Sequence, residues 1–200
     1  MTMTKEQLKA KVCEAIAARK GDIKKLAENI WAEPELGYKE TRTAKKVEAA
    51  FDSLGVSYRN QLALTGVKAR LKGGKGSKRS VAVIGELDAI ICAEHPDADD
   101  QTGAAHCCGH NAQIANMMAV TMGLVDSGAM EYLAGDVVPF AVPAEEYVEL
   151  AYRNKLIEQG KISYIGGKPE LISLGEFDDV DMAMQIHLTS VKPERDNGFI

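Results

Sequence analysis

Two thiols and two imidazoles fall within five residues, His106-Cys107-Cys108-Gly109-His110, with Asn111 following. The chain holds four cysteines and four histidines in all, so half of each kind is concentrated in this stretch. Thiolate sulfur and neutral imidazole nitrogen are donors that suit borderline transition metals. Gly109 gives the turn between Cys108 and His110 the freedom to aim both side chains at one point. A free cysteine often serves as a small buried hydrophobe, and Cys107 is read that way. A redox role for Cys107-Cys108 is disfavoured, because adjacent cysteines bridge only with strain and the chain has no Cys-x-x-Cys spacing. Cys108 and His110 are read as the seed of a metal centre.

Three other stretches place polar groups just past strand-like apolar runs. Val81-Ala82-Val83-Ile84 leads to Glu86-Leu87-Asp88, Asp136–Val142 to Pro143-Ala144-Glu145-Glu146, and Met182–Ile186 to His187. Sites in open α/β sheets form in the crevice beyond the carboxyl ends of strands. The helix start beside Cys108 should favour thiolate over thiol. A cation held there needs anionic partners, for which Glu146 and Asp88 are the candidates. Acids are also common at solvated helix starts, but a position directly after an apolar strand favours the site reading of Glu145-Glu146.

The elements that must position these groups follow from periodicity. Leu8, Val12, Ala15 and Ile16 share one helical face, and Ile23, Leu26, Ile30 and Trp31 repeat it after an N-cap at Asp22. Pro34 and Gly37 break the run from Trp31 to Tyr38. A third helix starts near Thr41 and ends at Gly55 in the C′ role. Residues 62–71 and 80–87 read as strands flanking a basic, glycine-rich hairpin loop. An acidic exposed loop covers 92–102. The helix opened at 108–111 runs to Ser127 and is apolar on most sides. Pro139 is awkward inside the strand 136–142. Helical signal resumes over 147–159 and 169–174. Alternating strands and helices indicate an α/β domain, three-layered, with helices on both sides of a mixed sheet.

Two hundred residues form one large domain, and 46% hydrophobic content can build its core. A net charge of −5 without a basic patch argues against a nucleic-acid surface. No run is long and apolar enough to span a bilayer, and residues 1–5 lack the apolar core of a secretion signal. Four cysteines without framework spacing suit a reducing compartment, with the cytoplasm as default.

Glu86-Leu87-Asp88-Ala89, His106 to Asn111, Pro143-Ala144-Glu145-Glu146 and Ile186-His187-Leu188 resemble, in that order, the motifs of the aminoacylase/carboxypeptidase-type metallohydrolases. The turn from Trp31 to Tyr38 is similar to that family's N-terminal signature. The nearest branch is the amidohydrolases acting on p-aminobenzoyl-glutamate, N-acyl amino acids and auxin conjugates. The resemblance implies a zinc-exopeptidase-like α/β/α fold and a pair of Zn²⁺ or Mn²⁺ ions. It implies Cys108, His110, Glu146 and His187 as ligands, Glu145 as general base, and Asp88 as a supporting acid. Two cations ~3.5–4 Å apart would polarise a small-molecule amide and acidify a water between them. The implied reaction is hydrolysis of an N-acyl or aryl amide bond to an amino acid.

The chain departs from the pattern in places. Asn111 stands where many relatives carry Asp, Ile90-Ile91 replaces Leu-Pro, and Tyr147 replaces Gly. Relatives are about twice as long, with a lid domain through which they often form homodimers and a later stretch supplying a further His ligand. Residues 1–200 therefore resemble the N-terminal part of the catalytic domain, with Asn197–Ile200 at the junction into the lid. This implies an unpaired sheet edge and weak or absent turnover by the 200-residue chain alone. The competing reading is a non-catalytic metal-binding or interaction fragment.

Overall fold

The structure is a computed structural model and describes residues 3–188; the lid junction expected at 197–200 lies outside them. Helix α1 (Lys5–Ala18) opens on a capping box in which the Thr4 hydroxyl accepts from Gln7 N–H and Thr4 N–H donates to the Gln7 side chain. Helix α2 (Lys20–Trp31) starts before Asp22, so Asp22 is a first-turn residue and not the expected N-cap. The guanidinium of Arg19 bridges Asp22 at 3.0 Å and Asp126 at 2.7 Å, and the two helices meet there without a loop. Helix α3 (Thr41–Ser53) has its first N–H groups satisfied by Glu35, which accepts from Arg42 at 2.9 Å and Thr43 at 2.8 Å.

The main sheet contains β1 (Tyr58–Leu62), β2 (Gly66–Ala69), β3 (Ser80–Glu86), β6 (Asp136–Val142) and β7 (Met182–Gln185). Between β3 and β6 come the small hairpin β4 (Ile90–Ile91) and β5 (Ala104–Ala105), then helix α4 (His110–Ser127). Helices α5 (Leu150–Glu158) and α6 (Gly167–Ser173) separate β6 from β7. The strand order is β1-β2-β6-β3-β7. The first two strands are antiparallel, β2 is antiparallel to β6, and β3, β6 and β7 are parallel.

This corrects two expectations. The hairpin lies within 58–69, and residues 62–71 and 80–87 are not partners, because β6 inserts between β2 and β3. The basic stretch 70–79 instead wraps the start of β6, where Asp136 accepts from Arg70, Gly73 N–H and Ser77. Pro139 does lie in a central strand. Val137 N–H donates to Leu71, so the alternate position 139 faces the same neighbour and lacks a donor. The β2–β6 ladder stops beside it, at Lys68↔Phe140, and resumes only as the isolated bridge Leu71↔Val137.

Two cores cover the two faces of the sheet. One joins Ile30, Phe51, Ile114, Met117, Met118 and Val67, bringing α2, α3 and α4 against the sheet. The other joins Ala82, Ile84, Val138, Phe140, Leu156 and Leu171, bringing α5 and α6 against the opposite face. The alternation along β6 explains the split, with Val138, Phe140 and Val142 on one side and Ala141 on the other. Each fully buried Phe or Ile side chain contributes about 1.5–3 kcal/mol. The architecture is the expected α/β/α arrangement. Among the described residues β7 pairs with β3 alone, and its four residues are exposed.

Candidate metal centre

Because β3, β6 and β7 run parallel, their carboxyl ends share one rim, and the residues just beyond them are Asp88, Glu145-Glu146 and His187. Helix α4 begins on the same rim. Its first residue is His110, preceded by Gly109 at φ +88°, a left-handed conformation that glycine adopts without strain. A Cβ on Gly109 would also meet the Leu188 side chain at 2.6 Å. The turn thus presents Cys108 and His110 to His187.

Cys108 Sγ lies 3.3 Å from His187 Nε2. The rings of His110 and His187 are edge-to-face at 5.8 Å. The Nε2 atom of His110 is 3.9 Å from a carboxylate oxygen of Glu145 and 3.9 Å from one of Glu146. All five side chains therefore converge. Asp88, fully buried, has a different task. Its main-chain carbonyl lies 2.9 Å from His110 Nδ1, and its Oδ2 accepts from Glu146 N–H at 2.9 Å. The first contact fixes the imidazole so that Nε2 faces the centre. The second holds the turn that carries Glu145 and Glu146.

That turn is conformationally unusual. Ala144 has φ +51° and is fully buried. The buried Glu40 carboxylate accepts from Ala144 N–H at 2.8 Å and from the Thr65 hydroxyl at 2.7 Å. Burial, with the Asp88 charge adding to it, pushes Glu40 up to about 7. On the other side Gly167 N–H donates to the Ala144 carbonyl, and a Cβ on Gly167 would sit 1.8 Å from the Pro143 carbonyl oxygen.

The sequence reading missed Glu86, Lys168 and Gln113. Glu86, buried at the end of β3, is 2.9 Å from His110 Nε2, forms an ion pair with Lys168 and accepts from Gln113 at 2.9 Å. Burial would raise its carboxyl, but His110 and Lys168 hold it well below the usual carboxylate range. Glu86 was recoverable from sequence, since it and Asp88 are two apart on an extended chain and so face the same way. Lys168 carried no signal beyond its place after Gly166-Gly167.

Two further corrections concern the cysteines. Cys107 is exposed, not buried, because His106 takes the inward position of the turn. Cys108 precedes the helix and does not gain a thiolate from its dipole. Burial and the Glu146, Glu145 and Glu86 carboxylates push its thiol up to about 12. His110, which burial alone would lower, is raised to about 10 by Asp88 and Glu86. Burial and Glu86 also raise Glu145.

The donors fit a metal ion. One donor atom each from Cys108, His110 and His187 lies within 4.8 Å of the other two, and Glu86, His110 and Glu145 form a second such group. Ligands about 2.0–2.3 Å from a tetrahedral zinc lie roughly 3.3–3.8 Å apart, close to the Cys108–His187 separation. The buried His110 Nε2 faces Glu86 at 2.9 Å, with Glu145 and Glu146 at 3.9 Å, so it points into the donor cluster. Three carboxylates crowded against a thiol and two imidazoles also call for positive charge.

Two amidohydrolases are similar to this chain in sequence. The IAA-amino acid hydrolase ILR1-like 5 of Arabidopsis thaliana is 34% identical over 136 residues, 66% of this chain and 30% of its own length. The N-acyl-L-amino acid amidohydrolase of Geobacillus stearothermophilus is 28% identical over 191 residues, 94% of this chain and 45% of its own length. The chain is similar in sequence to these amidohydrolases. It spans less than half the length of either. No protein-family model matches it. Solved structures are similar to the chain in fold. One from methicillin-resistant Staphylococcus aureus covers 90% of the chain and 42% of its own, with a TM-score of 0.73 at 23% identity. A dinuclear metal binding peptidase from Bacillus subtilis covers 89% and 45%, with a TM-score of 0.66 at 22% identity.

Proposed function

We propose that residues 1–200 form the N-terminal part of the catalytic domain of a metal-dependent amidohydrolase. The substrate is an N-acyl or aryl amide of an amino acid, of the N-acyl-amino-acid or p-aminobenzoyl-glutamate type. The observation that carries this reading is the convergence of Cys108, His110, Glu146 and His187 on one rim, with Glu145 beside them. The names of the two relatives support it.

In this reading those four residues hold divalent ions, zinc or manganese, which when bound supply Lewis-acid polarisation of the amide carbonyl. Glu145 takes the proton of the attacking water and returns it to the leaving amine nitrogen. Its raised affinity for protons, set by burial and by Glu86, suits both transfers. Asp88 positions both sides of the centre, His110 through its carbonyl and Glu146 through its carboxylate. Lys168, 4.0 Å from Glu145, keeps the carboxylate cluster from repelling itself apart. We place the protein in the cytoplasm, in keeping with its four unbridged cysteines.

Metal uptake measured beside amino-acid release from N-acetyl amino acids and p-aminobenzoyl-glutamate tests the assignment. Slow release that requires added Zn²⁺ or Mn²⁺ and disappears in Glu145→Gln supports it. Bound metal without release puts a non-catalytic metal-binding role in its place. A chain that takes up no metal removes both.

A further inference from the structure

The donors around His110 fall into two groups that compete for one nitrogen. Cys108, His110 and His187 form the first, and Glu86, His110 and Glu145 the second. His110 has only Nε2 to give, because its Nδ1 lies 2.9 Å from the Asp88 carbonyl oxygen. An ion on the first group takes that nitrogen. Glu146, 3.9 Å from it, then completes the four protein donors that a closed zinc site takes. On the second side two donors remain, the carboxylates of Glu86 and Glu145.

A cation already stands between them. The Lys168 ammonium forms an ion pair with Glu86 Oε1 and lies 4.0 Å from Glu145 Oε1. The other oxygen of Glu86 accepts from Gln113 at 2.9 Å and faces His110 Nε2 at 2.9 Å. Both oxygens of Glu86 are therefore engaged. Lys168 is also held in place by its backbone. It is the second residue of α6, and the first, Gly167, is locked against the turn that carries Glu145. Gly167 N–H donates to the Ala144 carbonyl at 3.0 Å, and a Cβ on Gly167 would sit 1.8 Å from the Pro143 carbonyl oxygen. An ammonium is a compact point charge, and a divalent ion brought beside it meets like-charge repulsion.

We propose that Lys168 is a built-in counter-cation, whose ammonium holds the Glu86–Glu145 side of the centre in place of a second metal ion, so that the described residues bind one divalent ion. The inference rests on the amidohydrolase reading for the first ion. It departs from the pair of ions that the sequence resemblance implies.

Equilibrium dialysis of the 200-residue chain against excess Zn²⁺ or Mn²⁺ counts the bound ions, and electron paramagnetic resonance of the Mn²⁺ form reports whether two ions are neighbours. One ion per chain and an uncoupled Mn²⁺ spectrum are expected. Lys168→Met should raise the count to two and give the exchange-coupled spectrum of a manganese pair, which a loss of packing alone does not produce. Lys168→Arg, which keeps the charge, should stay at one. Lys168→Gln, which keeps a hydrogen bond to Glu86, replaces the Met variant if that variant does not fold. Two ions in the parent chain, or an unchanged count of one in Lys168→Met, would overturn the role of Lys168 and leave the metal-centre reading standing. No bound ion in parent or variants would overturn that reading together with the inference.

Discussion

Loading the centre must expel protons, and their number follows from the geometry. Without metal, burial and carboxylates keep the Cys108 thiol protonated up to about 12, and Asp88 and Glu86, against burial, keep His110 charged up to about 10. An ion bound through sulfur and Nε2 needs both groups deprotonated there, while the Nδ1 proton of His110 stays with the Asp88 carbonyl. Near neutral pH the first ion should therefore release about two protons, one from each ligand. The apparent affinity should rise about 100-fold per pH unit through the neutral range. Above about 10, where His110 has lost its proton unaided, only the thiol contributes and the rise drops to about tenfold per unit. Titration calorimetry with chelator-buffered zinc, repeated in buffers of different ionisation enthalpy, reads the proton count as the slope of observed heat against buffer heat. A slope near zero would refute the reasoning, because it would mean that neither Cys108 nor His110 gives up a proton to the ion.

Metal-free stability should fall on the alkaline side. The folded chain holds the His110 proton up to about 10 against an ordinary 6.5, so this contribution is complete below 6.5 and is lost as pH rises through about 10. Urea melts in chelator across that window check it, and a flat profile would contradict the environment described for His110. Asp88→Ala should leave Glu146 N–H unpaired, lowering stability by about 1–3 kcal/mol and zinc affinity about 10–100-fold. Denaturation and competition with a chromophoric chelator measure the two effects. Gly167→Ala should cost about 2–3 kcal/mol or more, because its Cβ meets backbone that must move; a melt within experimental error of the parent would show that the loop yields freely. Phe140→Ala, at the centre of one core, should cost about 3–5 kcal/mol without changing the number of ions bound.

The rim of the site was legible because its parts follow apolar runs that read as strands, with Asp88, Glu145, Glu146 and His187 each just past the end of one. Strand order was not legible. Nothing in residues 62–87 says that a strand seventy residues away enters between β2 and β3, since pairing is a tertiary choice that period-two patterning leaves open. Pro139 was a sound warning with a local outcome, a gap in one ladder instead of exclusion from the sheet. The error at Cys108 came from weighing a helix end without counting charges, when three carboxylates from distant segments outweigh it. Lys168 was invisible for a related reason. Its importance comes entirely from Glu86, which lies 82 residues earlier.

The lone partner of β7 has a kinetic consequence. His187 hangs from an edge strand that pairs with β3 alone among the described residues, whereas Cys108 and His110 are tied to α4 and Glu146 to the buried Asp88. Brief detachment of β7 from β3 would carry off one donor and leave the other three in place. Ion exchange is then expected to keep pace with opening of that strand, so amide hydrogen exchange at Met182–Gln185 should slow when zinc is bound. The rim would behave as a clasp with one hinged finger.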